Sequence, residues 1–211
     1  MIVKRFRRWV GLPQPVEAGA DQPRAGDAPP PMRVLMVCTG NICRSPTAEG
    51  VLRAKLQRLG LHGRVEVDSA GTHGYHTSEP PDPRAIRHAA QRGYDISRLK
   101  ARPVADDDFA RFDWVLAMDE THLRWLRQRQ PPDTPARTDL LMAYARQHAD
   151  VPEIPDPYYG GPAGFDRVLD LVEDACEGLA AHLSRQLPRT RLSPGGGFGR
   201  WRDGRAGDLY T

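Results

Sequence analysis

The chain has 211 residues, 39% hydrophobic and 27% charged, enough for one domain with its own core and some unstructured length. Its net charge of +3 sits at the ends: residues 1–31 carry five basic and three acidic groups, residues 188–211 five and two, leaving 20 basic against 22 acidic in between. That acidic middle argues against a nucleic-acid binder, no apolar run reaches the ~18 residues of a membrane span, and three cysteines do not make a disulfide framework.

Residues 1–10 (MIVKRFRRWV) are basic but lack the apolar stretch and cleavage site of a signal peptide, so the expectation is cytoplasmic, with no stable membrane insertion. Residues 4–10 read as a plain basic tail in preference to a membrane-surface helix. Residues 14–31 are too rich in Pro, Ala and Gly to bury a face. Residues 1–31 are therefore predicted to be a disordered extension, with Met32 as an alternative start.

Residues 33–37 (RVLMV) form a nearly continuous apolar run, as a strand buried on both faces does. A helix is predicted from Ser45, with Pro46 in its first turn, Ala48, Val51, Leu52, Leu56 and Leu59 on one face, and Gly60 ending it. Further strands are expected over 65–70, 114–118 and 138–142, and helices over 83–92 and 120–129. The clearest helix carries Phe165, Val168, Leu169, Val172, Cys176, Leu179, Leu183 and Leu187 on one stripe, and core packing is the reading of Cys176. Residues 188–211 read as a disordered Gly/Arg-rich tail. The pattern predicts one α/β domain over 32–187: a four-stranded parallel sheet with helices on both faces.

Parallel open sheets bind ligands where a strand gives way to a helix. Here that turn reads Cys38-Thr39-Gly40-Asn41-Ile42-Cys43-Arg44-Ser45-Pro46. A cysteine six positions before an arginine says little in so arginine-rich a chain. The context says more. Free N–H groups and the helix dipole make an anion site at the helix start and favour an anion where Cys38 stands. Arg44 offers a planar charged fork for two phosphate oxygens. Ser45 can donate to a Cys38 thiolate and so make it a better leaving group, while Gly40 and Asn41 tolerate left-handed backbone. Thiolate attack on a phosphomonoester also needs an acid. The candidate is Asp156 in Asp156-Pro157-Tyr158-Tyr159-Gly160, an Asp-Pro turn set apart by its aromatic pair.

Cys38 to Pro46 with Ala48-Glu49, followed by residues 156–160, resembles the low-molecular-weight protein-tyrosine phosphatases. The likeness runs from about residue 33 to 187 and takes in Asp68-Ser69-Ala70-Gly71-Thr72, Pro81-Asp82-Pro83-Arg84 and Ala117-Met118-Asp119. It implies a Rossmann-like fold, a phosphocysteine on Cys38, a phosphoryl group held by Arg44 and the loop, and Asp156 as acid and then base. It also implies Asn41, Ser45 and Ser69 as the loop's hydrogen-bond support, and Tyr75, Tyr158 and Tyr159 as walls of the substrate cleft. No metal or other cofactor is implied. The implied partner is a phosphotyrosine protein, with a tyrosine kinase as candidate.

By the same resemblance, Cys43 would trap an oxidised Cys38 as a disulfide; a plain buried cysteine is the equal alternative. Leu99 stands where the family often has a histidine that supports the loop's asparagine, with Pro103 nearby where a polar residue is usual. The seven histidines show no metal-ligand spacing, and His73 and His76 are expected to be surface groups. Two rivals stay open. An arsenate reductase of the same fold needs a further spaced cysteine pair, where this chain has only Cys176. A non-catalytic phosphotyrosine-binding module would not need the complete set of Cys38, Arg44, Ser45 and Asp156.

Overall fold

The computed structural model describes residues 29–187. Apart from residues 29–31, the two expected extensions lie outside the described residues. Four parallel strands form the sheet: β1 (Met32–Cys38), β2 (Val65–Gly71), β3 (Trp114–Ala117) and β4 (Arg137–Leu140), in the order β2-β1-β3-β4. The helices are α1 (Arg44–Arg58), α2 (Pro83–Gln91), the one-turn α3 (Asp108–Arg111), α4 (Glu120–Arg129) and α5 (Pro162–Gln186), and a 3-10 turn covers Leu141–Tyr144. The α/β expectation of one domain with a covered parallel sheet is met.

Strand β1 shows why. Val34 to Val37 are fully buried, and alternate residues face opposite cores. Val34, Met36 and Cys38 join α1, α2 and α5, whereas Leu35 and Val37 join Phe109 of α3 and Leu123 and Leu126 of α4. Each such side chain contributes about 1.5–3 kcal/mol by leaving water. The α5 stripe from Phe165 to Leu183 is buried, and Leu187 packs at its end. Cys176 is among these core residues, its Sγ directed at the Ala48 carbonyl of α1. No helix among the described residues is long and apolar enough to cross a membrane.

Three details differ from the sequence expectation. Helix α1 begins at Arg44 rather than Ser45, and Leu59 is 52% exposed because the helix has already ended at that residue. Gly60 follows with φ +68°, the left-handed geometry that stops a helix. The last strand is Arg137–Leu140, so Leu141 and Met142 belong to the 3-10 turn. Helix α3 was absent from the expectation because four residues carry no periodicity.

The strand order fixes where a ligand can bind. From β1 the chain passes to β2 on one side, and the remaining strands lie on the other. The carboxyl ends of β1 and β3 therefore flank the crevice of an open parallel sheet.

Candidate active site

Residues 38–45 wrap around the carboxyl end of β1. The carbonyls of Cys38, Thr39, Ile42 and Cys43 accept hydrogen bonds from the backbone N–H groups of Thr72, His73, Asp82 and Thr47. The N–H groups of residues 39–43 have no acceptor among the described residues. A loop whose carbonyls are tied and whose N–H groups are free is suited to an anion. Asn41 takes the left-handed turn, φ 56°. Gly40 does not, contrary to expectation: its lack of a side chain makes room, because a Cβ there would come 3.1 Å from His76 Cδ2. At Gly71 a Cβ would lie 2.7 Å from the Thr39 carbonyl oxygen and 3.1 Å from the Asn41 nitrogen, so this strand end must be bare for the loop to lie against it.

Behind the loop runs a buried polar chain. The Arg102 backbone N–H donates to Asn41 Oδ1 at 2.9 Å, which orients the amide so that Nδ2 donates to Ser45 Oγ and Ser69 Oγ, each at 2.9 Å. Ser69 in turn donates to Glu49 Oε2 at 2.5 Å, and Glu49 pairs with Arg53. Burial pushes the Glu49 carboxyl up, against the opposing pull of Ser69 and Arg53. Ser45 Oγ already accepts from Asn41, so its own proton is free for Cys38 Sγ, 3.0 Å away, or for the Ala70 carbonyl at 3.3 Å. Leu99 packs against the larger core. The loop asparagine thus takes its support from a backbone N–H.

Arg44, 3% exposed, is held on two sides. Nη1 donates to Asp119 Oδ2 at 2.7 Å and to the Ile154 carbonyl at 3.3 Å, while Nη2 reaches Asp156 Oδ2 at 3.0 Å and Thr39 Oγ1 at 3.3 Å. Ile154 is anchored by its own N–H to the Met118 carbonyl, so the segment leading to Asp156 is fixed to the end of β3. Asp119 also caps α4 by accepting from the His122 backbone N–H. Burial acts to raise its carboxyl, but the His122 ring and backbone N–H, with Arg44, hold it well below the usual carboxylate range. His122 Nδ1 sits 2.9 Å from Asp119 Oδ1, off the line of a good hydrogen bond, and Nε2 contacts Thr39 Oγ1 at 2.8 Å.

A cleft of about 320 Å³ opens over these groups, lined by Cys38, Thr39, Gly40, Ile42, Cys43 and Arg44 below and by Tyr75, His76, Asp156, Tyr158 and Tyr159 around its mouth. The three tyrosines are among the few exposed large apolar side chains. Cys43 is a buried thiol pushed up to about 12, chiefly by burial and then by Asp82, Cys38 and Asp156.

The structure thus brings Cys38, Arg44, Asp156 and the three tyrosines to one cleft, with Asn41, Ser45 and Ser69 behind it. His76 is a correction. It lines the cleft, with Nδ1 2.7 Å from Glu79, where a surface group was expected. His73 stacks on Tyr75. The sequence reading assigned no role to Asp119, His122 or Arg102. Asp119 directly after a buried strand and before a helix was the available signal for the first.

A sequence model of the family described as low molecular weight phosphotyrosine protein phosphatase matches residues 33–189. A low molecular weight protein-tyrosine-phosphatase of Streptomyces coelicolor is 46% identical over 158 residues, covering 74% of this chain and 95% of that one. The human low molecular weight phosphotyrosine protein phosphatase is 39% identical over 145 residues, 68% and 90% of the two chains. Among solved structures, a protein tyrosine phosphatase of Entamoeba histolytica with Hepes in its active site superposes with a TM-score of 0.70 at 39% identity, over 74% of this chain and 98% of that one. A Drosophila arginine phosphatase gives 0.66 at 30%, over 72% and 98%. With the motif residues gathered at one cleft on the expected sheet, this chain belongs to the low-molecular-weight phosphotyrosine protein phosphatase family.

Proposed function

We propose that the protein hydrolyses phosphotyrosine in protein substrates through a phosphocysteine on Cys38. The observation that carries this reading is the meeting of Cys38 Sγ, bonded to Ser45, with the Arg44 guanidinium and the Asp156 carboxyl at one aromatic-walled cleft. The phosphoryl oxygens lie against the free N–H groups of residues 39–43 and the Arg44 fork. The Cys38 thiolate attacks phosphorus, the phosphorus–oxygen bond breaks, and Asp156 gives its proton to the departing phenolate. Water then attacks the phosphocysteine, Asp156 takes back a proton, and the thiolate leaves with Ser45 donating to it. Ile42 and the rings of Tyr75, Tyr158 and Tyr159 suit a flat aryl leaving group.

Two cysteines share the cleft floor, and their surroundings separate them. With its thiol pushed up to about 12, Cys43 stays protonated at neutral pH and leaves attack to Cys38. Once a peroxide has oxidised Cys38 to a sulfenic acid, Cys43 can give up its proton and attack that sulfur, forming the disulfide and releasing water, a step that its raised pKa slows. Cys176, fully buried in the core and likewise pushed up to about 12, is poorly placed to relay oxidation outward as a reductase would require. The partner is a phosphotyrosine protein, with a tyrosine kinase as candidate and the cytoplasm as the compartment.

The test is acid-quench trapping with a 32P-labelled phosphotyrosine peptide. Label is expected on the wild type and absent from Cys38→Ser, which should also lose hydrolysis. Label retained by the variant would overturn the mechanism. Faster turnover of phosphoarginine than of phosphotyrosine would move the substrate class toward that named for the Drosophila neighbour.

A further inference from the structure

Arg84 stands at the first turn of α2, outside the groups that meet phosphate, yet it is bound to the Asp156–Tyr158 segment directly and to the phosphate loop through Asp82. Its Nε and Nη2 grip Asp82 at 3.0 and 2.7 Å, as a fork on a carboxylate. Its remaining Nη1 donates to the Tyr158 carbonyl at 3.1 Å, and the guanidinium lies 5.4 Å from the Tyr158 ring and 4.9 Å from the Phe165 ring of α5. Asp82 is fixed in turn: it caps α2 through the Arg84 backbone N–H, and its own N–H donates to the Ile42 carbonyl of the phosphate loop. On the far side, the Tyr158 N–H donates to Asp156 Oδ1 at 3.1 Å. A continuous path therefore runs from Ile42 through Asp82 and Arg84 to Tyr158 and Asp156.

We infer that Arg84 is a positioning residue, setting the Asp156 carboxyl against the phosphate loop at the height of the leaving oxygen. The inference rests on the proposed role of Asp156 as acid. Asp156 is 45% exposed and sits on a connecting segment. Its other side-chain partner, Arg44, is a group that substrate phosphate would engage. Once phosphate takes Arg44, the acid is held from the Ile154 side by the bond to Met118 and from the Tyr158 side by the Arg84 link. Lysine cannot replace it, because one ammonium cannot both fork onto Asp82 and reach the Tyr158 carbonyl.

The experiment compares kcat/KM, which reports the steps up to departure of the phenol, on a phosphotyrosine peptide, whose phenolate needs an acid, with kcat/KM on p-nitrophenyl phosphate, which scarcely does. Arg84→Met, which keeps apolar cover on Phe165, and Arg84→Lys should both lower the ratio of the two by about tenfold, the scale of one charge-assisted hydrogen bond. A merely structural role would lower both rates together. Asp156→Ala is measured alongside, and adding Arg84→Met to it should leave the ratio where Asp156→Ala put it. If Asp156→Ala lowers the ratio and neither Arg84 variant does, or if Arg84→Lys retains the wild-type ratio, the inference is overturned. If Asp156→Ala itself leaves the ratio unchanged, the acid role fails and Arg84's with it.

Discussion

Arg44 Nη2 lies 3.0 Å from Asp156 Oδ2, so the group proposed to hold phosphate is paired with the group proposed to protonate the leaving oxygen. Phosphate must displace that carboxylate, while Asp119, 2.7 Å from Nη1, can stay. An ion pair with one partner 45% exposed is worth at most about 1 kcal/mol. Asp156→Ala should therefore bind inorganic phosphate about two- to fivefold more tightly, as a competitive inhibition constant will report. Weaker binding would mean that the Arg44–Asp156 contact does not oppose phosphate.

Ser45 holds a different step. Its hydroxyl accepts from Asn41 and faces Cys38 Sγ at 3.0 Å, so it can donate to sulfur when the phosphocysteine breaks. Ser45→Ala removes a hydrogen bond to a charged group, about 1.5–3 kcal/mol, and should slow steady-state turnover by roughly 10- to 150-fold. The pre-steady-state burst of p-nitrophenolate should persist, because attack precedes the affected step. Loss of the burst, with the steady state unchanged relative to it, would place Ser45 in the first step instead.

Much of this arrangement could be read from the chain, for reasons that differ by residue. Val34 to Val37 betray a doubly buried strand because nothing polar interrupts them, and the α5 stripe repeats often enough to be unambiguous. Cys38, Arg44 and Ser45 are close in sequence, so one turn displays them. Leu59 misled because helical spacing continues past the point where Gly60 ends the helix. His76 misled because its place in the cleft depends on an empty Cβ position at Gly40, a contact that spacing cannot reveal. Asp119 was hidden behind its own second use: as a helix cap it explains itself locally, without the Arg44 pair.

That double use can be separated by pH. Asp119→Asn keeps an oxygen to cap α4 but removes the charge facing Arg44, whose side chain is 4% exposed. The loss should be about 2 kcal/mol, or about 4–8 °C in Tm for a domain of this size. The folded carboxyl is held below its ordinary 3.8, so its stabilisation is fully present above that value and disappears as pH falls through the depressed folded value. The Tm gap between wild type and Asp119→Asn should accordingly be widest at neutral pH and narrow below pH 3.8. A gap that is constant down to strongly acid pH would show that the charge contributes nothing.

Gly71 offers the sharpest test of how the phosphate loop is shaped. A methyl group there would meet three backbone atoms, the Thr39 and His73 oxygens at 2.7 and 2.9 Å and the Asn41 nitrogen at 3.1 Å, none of which can turn aside as a side chain would. The loop must move, and it moves at residues whose N–H groups are free for phosphate. Overpacking of this kind costs about 1–3 kcal/mol of stability. Gly71→Ala should therefore lower Tm and weaken phosphate inhibition, whereas Gly63→Ala, with nothing within 4 Å of the added Cβ, should change neither. If Gly71→Ala binds phosphate as the wild type does, the bare strand end is a matter of packing alone and the loop's geometry is set elsewhere, by Asn41 and its partners.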